Sequence, residues 1–141
     1  MAAANPAGCC TTEACRAGDS RAYLLRDGVL TRLTSDHSVV QELVDEGRIT
    51  LAEAETHPSA NMITRAVGSG GDLLLDKSVG DVRPNDCFLL CSDGLYKAVS
   101  ETRIAAILGE EGDVAQALVA AALENRARDN VTAVVAKVEV D

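Results

Sequence analysis

The stretch Arg21-Ala-Tyr-Leu-Leu-Arg26, Asp27-Gly28, Val29-Leu-Thr-Arg-Leu33 decides how this chain folds. Two short runs of strand-forming residues flank a two-residue Asp-Gly link, and a type I′ turn needs positive φ at both link positions. Gly reaches that region without steric cost, and Asp enters it more readily than most residues. Residues 21–33 are therefore expected as a β-hairpin. Order should begin near Gly18, whereas residues 1–17 carry no strand or helix period and read as an irregular lead-in.

Downstream of the hairpin the period changes. Val39, Val40, Leu43 and Val44 recur at helical spacing before Gly47, and Thr50-Leu-Ala-Glu53 reads as a capping box opening a second short helix. Asn61–Val67 is expected to be extended, Gly68–Gly71 a joint, and Leu73–Val79 a strand. Arg83-Pro-Asn-Asp86 reads as a turn and Cys87–Ser92 as a buried strand, with Cys87 and Cys91 on one face. Ser100 can cap a helix carrying Ile104, Ile107 and Leu108, and Asp113 with Gln116 can box the start of another. Val131–Val140 is β-branched enough to suggest a central strand. These elements sum to an α+β domain of antiparallel strands overlaid by helices.

Composition narrows the function. The chain has 141 residues, 47% hydrophobic and 25% charged, which fits one globular domain. Thirteen basic against twenty-two acidic residues give a net charge of −9, with no Lys/Arg cluster to displace counterions from a duplex. Two Tyr, one Phe and no Trp leave no stacking platform for single strands, so nucleic acid is not an expected partner. No apolar run reaches the roughly 18–20 residues of a membrane span, and the first residues lack a signal-peptide pattern. A soluble, cytoplasmic chain is expected. The five cysteines lack paired zinc spacing with His37 or His57, and Cys87 and Cys91 read as small buried hydrophobes.

Three aspartates stand where the chain turns beside a strand. Asp19 enters the hairpin, Asp93 follows Phe88-Leu-Leu-Cys-Ser92, and Asp129 precedes Val131-Thr-Ala-Val-Val135. Carboxylates gathered at strand ends suit hard cations such as Mg²⁺ or Mn²⁺. Two such ions can activate a water and clamp a phosphoryl group.

With these residues in view, a resemblance emerges. Gly18-Asp-Ser-Arg21 and its hairpin, Leu33-Thr-Ser-Asp-His-Ser38, Asn61-Met-Ile-Thr-Arg-Ala-Val-Gly68, Leu89-Leu-Cys-Ser-Asp-Gly-Leu95 and Asp129-Asn-Val-Thr132 resemble, in order, motifs of the metal-dependent serine/threonine protein phosphatases, the protein phosphatase 2C or PPM family. The resemblance covers residues 18–141. It implies a part of that family's four-layer α-β-β-α sandwich, two antiparallel sheets flanked by helices. It implies Asp93 and Asp129 as metal ligands, Asp19 at an additional metal site, and Mn²⁺ or Mg²⁺ as cofactor, two or three ions in the complete site. Residues 38–60 would form the flap beside the active site, and the substrate would be a phosphoserine or phosphothreonine protein.

The family's domain begins well upstream of Gly-Asp-Ser-Arg, with a phosphate-gripping Arg, a Glu, a metal-bridging Asp-Gly pair and a His proposed as general acid. Residues 1–17 hold none of that pattern: Arg16 is the only Arg there and Glu13 the only acid. The resemblance therefore implies the C-terminal part of the catalytic domain, the N-terminal half missing. A sheet with uncovered edges or an unfilled face is expected, and the strand between Asp76 and the Gly-Asp-Ser-Arg hairpin should lack partners from the absent half. No residue is assigned as catalytic. The expected function is phosphoprotein dephosphorylation, weak or absent in this chain alone. The alternatives are a non-enzymatic pseudophosphatase module that binds a phosphoprotein or regulator, and a folding unit that needs a complementing N-terminal fragment.

Overall fold

In the computed structural model, the hairpin forms around Asp27 and Gly28 at φ of 52° and 78°, both in the left-handed region that an I′ turn needs. The structure describes residues 2–4, 10–16, 18–36, 38–59, 62 and 76–139. The hairpin strands are β3 (Arg21–Arg26) and β4 (Val29–Arg32), paired Arg26 to Val29 and Leu25 to Leu30. Two earlier strands, β1 (Ala2–Ala4) and β2 (Cys10–Arg16), precede them. Later strands are β5 (Asp76–Asp81), β6 (Cys87–Cys91) and β7 (Ala133–Lys137). The helices are α1 (Val39–Asp45), α2 (Leu51–Thr56), α3 (Asp93–Tyr96), α4 (Glu101–Leu108) and α5 (Val114–Glu124).

A four-stranded antiparallel sheet runs β4-β3-β6-β7, and a three-stranded one runs β1-β2-β5. In β6 the side chains alternate sharply: Leu89 is fully buried while its neighbour Leu90 is 51% exposed. One face of the larger sheet, carrying Tyr23, Cys87, Leu89 and Cys91, packs under Ile104, Ile107, Leu118 and Ala122 of α4 and α5. Each fully buried leucine there stabilises the fold by roughly 1.5–3 kcal/mol. The opposite face presents Leu90 paired directly with Val134, both more than half exposed.

Helix starts follow their caps. Ser100 accepts from the Arg103 amide at 3.3 Å and Asp113 from the Gln116 amide at 3.0 Å. At α2 the Thr50–Glu53 box closes in both directions, at 2.7 and 3.2 Å. Helices α1 and α2 occupy the segment expected as a flap. Asp86 N donates to Arg83 O at 3.2 Å, closing the expected turn before β6.

Three expectations need correction. The described part of residues 1–17 is not irregular, because Thr11–Arg16 pairs with Asp76–Asp81 and Ala2–Ala4 pairs with Cys10–Thr12. Cys-Thr-Thr-Glu-Ala-Cys-Arg has no apolar alternation, but a ladder is built from backbone N–H and C=O groups, which every non-proline residue carries. The strand at Asp76–Asp81 finds its partner within this chain, in β2. The last strand is shorter than residues 131–140, and it lies at an edge, pairing only with β6 among the described residues. Its β-branched residues suit a pleated surface whether central or not. Finally, a single helical turn, α3, follows β6 where only a sharp exit was expected. The expected extended run at 61–67, apart from Met62, and the joint at 68–71 lie outside the described residues, as do positions 73–75 of the expected strand.

Candidate metal centre

Strand β6 delivers Asp93 to its site. Its exit is clamped by Ser92, whose amide donates to Thr132 O at 3.1 Å, while Ser92 Oγ donates to Asn130 O at 3.1 Å and accepts from the Thr132 amide at 3.0 Å. These bonds tie the residue before Asp93 to the segment just after Asp129. Gly94 permits the approach. A Cβ there would lie 2.2 Å from Asn130 O, far inside contact distance, so only glycine fits beside that carbonyl. Asp129 then folds back, its Oδ1 accepting from the Asn130 amide at 2.7 Å.

Asp19 reaches the same place from the hairpin entry. Gly18 adopts a φ of 113°, open to glycine, and the Asp19 carbonyl accepts from Tyr96 Oη at 2.7 Å. The Arg21 guanidinium stacks over the Tyr96 ring at 3.6 Å and forks onto Asp36, Nε to Oδ1 at 3.0 Å and Nη2 to Oδ2 at 2.6 Å. Burial opposes its charge, but Asp36 and the Tyr23 hydroxyl together outweigh burial and raise the Arg21 pKa. Arg21 also donates to Tyr23 Oη at 3.2 Å, and that hydroxyl donates to Glu101 at 3.1 Å. Two of the sequence motifs thus meet in a structural contact, with Arg21 and Asp36 holding the hairpin entry in place.

The three aspartates singled out in the sequence line one open cavity of about 820 Å³. Burial first, and then the nearby Asp93 carboxylate, push the Asp19 pKa up, while Lys97 pulls it down. Lys97 Nζ donates to Asp93 Oδ2 at 2.8 Å. Lys97, Arg126 and Arg128 line the cavity too, and sequence reasoning missed all three. The signals were present: Lys97 lies four residues beyond Asp93 on one helical turn, and Arg126 and Arg128 sit just before Asp129.

The remaining candidates are inert. Burial raises the Cys87 thiol and pushes Cys91 up to about 12, so neither presents a thiolate. His57 Nδ1 accepts from the Ser59 amide at 3.1 Å within a turn, and His37 lies outside the described residues.

Carboxylate oxygens are the donors that hard cations take. Among the described residues, however, no three His, Cys, Asp or Glu side chains gather into a closed ligand cluster. The aspartates that line the cavity offer donors of that kind without closing into a complete ligand set.

The structure shows an antiparallel α+β domain in which three aspartates from separate segments border one cavity. Comparison with known proteins defines its class. No protein-family profile matches the chain. It is 47% identical over 123 residues to the serine/threonine protein phosphatase PstP of Mycobacterium tuberculosis, covering 86% of this chain and 24% of that protein. It is 40% identical over 118 residues to the serine/threonine phosphatase Stp of Listeria monocytogenes, covering 82% and 47%. Among solved structures, that of M. tuberculosis PstP superposes with a TM-score of 0.86 at 43% identity, covering 92% of this chain and 56% of that one. The PstP catalytic domain in complex with two manganese ions superposes at 0.78 with 40% identity, covering 92% and 54%. The chain is a homologue of the serine/threonine protein phosphatases of the PPM, or protein phosphatase 2C, type. It spans between about a quarter and about half of the length of the curated relatives it matches.

Proposed function

We propose that this chain forms one part of a metal-dependent catalytic centre that removes phosphate from phosphoserine and phosphothreonine proteins. The observation that carries the reading is the Gly94–Asn130 contact, which brings Asp93 and Asp129, remote in sequence, to one cavity. Asp93 and Asp129 present oxygens to Mn²⁺ or Mg²⁺, and Asp19 contributes at the rim. A divalent cation, when bound, supplies the charge that steadies a phosphoryl group and lowers the pKa of a water. The chain's own residues set the stage for that. Ser92 fixes the two aspartate loops to each other, Arg21 and Tyr96 hold the Asp19 backbone, and Arg126 and Arg128 place positive charge on a lining that a phosphoryl anion would enter. The α1–α2 segment, residues 38–60, is the surface offered to the phosphoprotein. The setting is the cytoplasm, which the free, buried Cys87 and Cys91 support.

The open donor set predicts slow turnover by the chain alone, since most phosphoryl-transfer catalysis is placement and charge neutralisation. Hydrolysis of p-nitrophenyl phosphate and a phosphothreonine peptide should be measured with and without the N-terminal half of a relative's catalytic domain. Turnover should rise on mixing, require Mn²⁺ or Mg²⁺, and vanish in Asp129→Asn. Unchanged turnover in Asp129→Asn would overturn the metal assignment. The same open donor set favours a second reading, a pseudophosphatase module, and tight phosphoprotein binding without turnover after mixing would select it.

A further inference from the structure

Lys97 holds a place in the cavity that the phosphatase reading leaves unexplained. It directly follows α3, and its amide donates to Asp93 O at 3.0 Å, so the helical turn carries its side chain back over Asp93. The ammonium meets Asp93 Oδ2 at 2.8 Å, with the two side chains 44% and 19% exposed. The cation is therefore bound yet open to water, at the end of a flexible stem. The turn itself is anchored from its other side, where Tyr96 Oη holds the Asp19 carbonyl at 2.7 Å. Asp19, Asp93 and Lys97 thus line one cavity, with the ammonium in direct contact with Asp93.

We infer that the Lys97 ammonium is a tethered counter-cation for the Asp19–Asp93 carboxylate pair and competes there with a divalent metal ion. The inference rests on the reading of Asp93 as a cation ligand. An incoming Mn²⁺ meets two obstacles at Asp93: an oxygen already engaged by Lys97, and the repulsion of a like charge held nearby. In return, the carboxylates have a partner when no metal is bound. Lys97 therefore sets the affinity of the site for its ion and keeps that affinity modest.

The test is Mn²⁺ binding by the whole chain, followed through the electron paramagnetic resonance signal of free Mn²⁺, which reads affinity without turnover. Lys97→Met keeps the stem and removes the charge, and it should tighten binding by about 3- to 10-fold. Lys97→Gln should behave likewise, and Lys97→Arg should stay near the original chain. Circular dichroism of each variant checks that the fold is kept, and the half-exposed position makes both neutral variants tolerable. Binding by Lys97→Met and Lys97→Gln that is equal to or weaker than the original, while Asp93→Asn loses binding, overturns the counter-cation. Binding that survives unchanged in Asp93→Asn overturns the reading of Asp93 beneath it. No binding by any form overturns both.

Discussion

Strand β6 has an aspartate near each end, and the two live in opposite circumstances. Asp86, just before the strand, is 1% exposed and has every demand met inside the protein. Arg26 forks onto it, Nε to Oδ1 at 2.8 Å and Nη2 to Oδ2 at 2.7 Å, and the Arg83 amide donates to Oδ2 at 2.7 Å. Asp93, two residues past the strand, lines an open cavity and meets the half-exposed ammonium of Lys97. A buried ion is tolerated when hydrogen bonds satisfy it, and it then ties elements together. A carboxylate left facing a cavity beside others of its kind is available to something from outside. Residue type does not distinguish these two aspartates; their partners do.

The contrast breaks most visibly at the structural end. Asp86→Ala strands the Arg83 amide and the Arg26 fork, and it should lower unfolding free energy by about 3 kcal/mol. Urea denaturation measures this, and a loss near zero would mean that Asp86 is no anchor. At the cavity end the largest effect should come from Gly94→Ala. Its Cβ would collide with Asn130 O, and relieving that contact should cost about 2 kcal/mol. The same variant should weaken Mn²⁺ binding, because the Asp129 loop must shift away from Asp93. Asp93→Asn should separate the two roles: stability within about 0.5 kcal/mol of the original, since a single partly exposed ion pair is lost, with Mn²⁺ binding abolished. A large stability loss in Asp93→Asn would erase the distinction from Asp86.

The smallest effect lies in acid. The Arg26 fork, aided by the Arg83 amide and opposed by burial, lowers the Asp86 pKa from its ordinary 3.8. A depressed folded-state value stabilises the fold above the unfolded value of about 3.8, and that contribution fades as pH falls through the folded one. Asp86→Asn should therefore show a shallower loss of stability below about pH 4 than the original chain. Parallel acid limbs for the two proteins would show that this carboxylate does not contribute to the pH dependence.

The local elements were legible before any coordinates. Asp27-Gly28 carries its own turn and Thr50 and Glu53 carry their own cap, whereas Cys87–Cys91, expected as a buried strand, buries Leu89 and exposes Leu90. The three aspartates were legible as residues at strand ends, and the ordered motifs pointed to the phosphatase family. Each of these signals is contained within a few consecutive positions, where sterics and side-chain-to-backbone bonds act directly.

Other features required the folded chain. Cys10–Arg16 becomes a strand only because Asp76–Asp81 lies alongside to accept its backbone bonds. The last strand lies at an edge because no described segment pairs beyond it. Gly94 looked like a turn residue, but its meaning is the carbonyl of Asn130 resting where a side chain would be. Arg21 finds Asp36, and Lys97 enters the cavity that Asp19 and Asp129 also line. The sequence by itself determined what short segments do alone and which family they resemble. The tertiary structure decided which groups from distant segments meet, because hydrogen bonds, close approaches and fields between charges depend on distances that no local spacing contains.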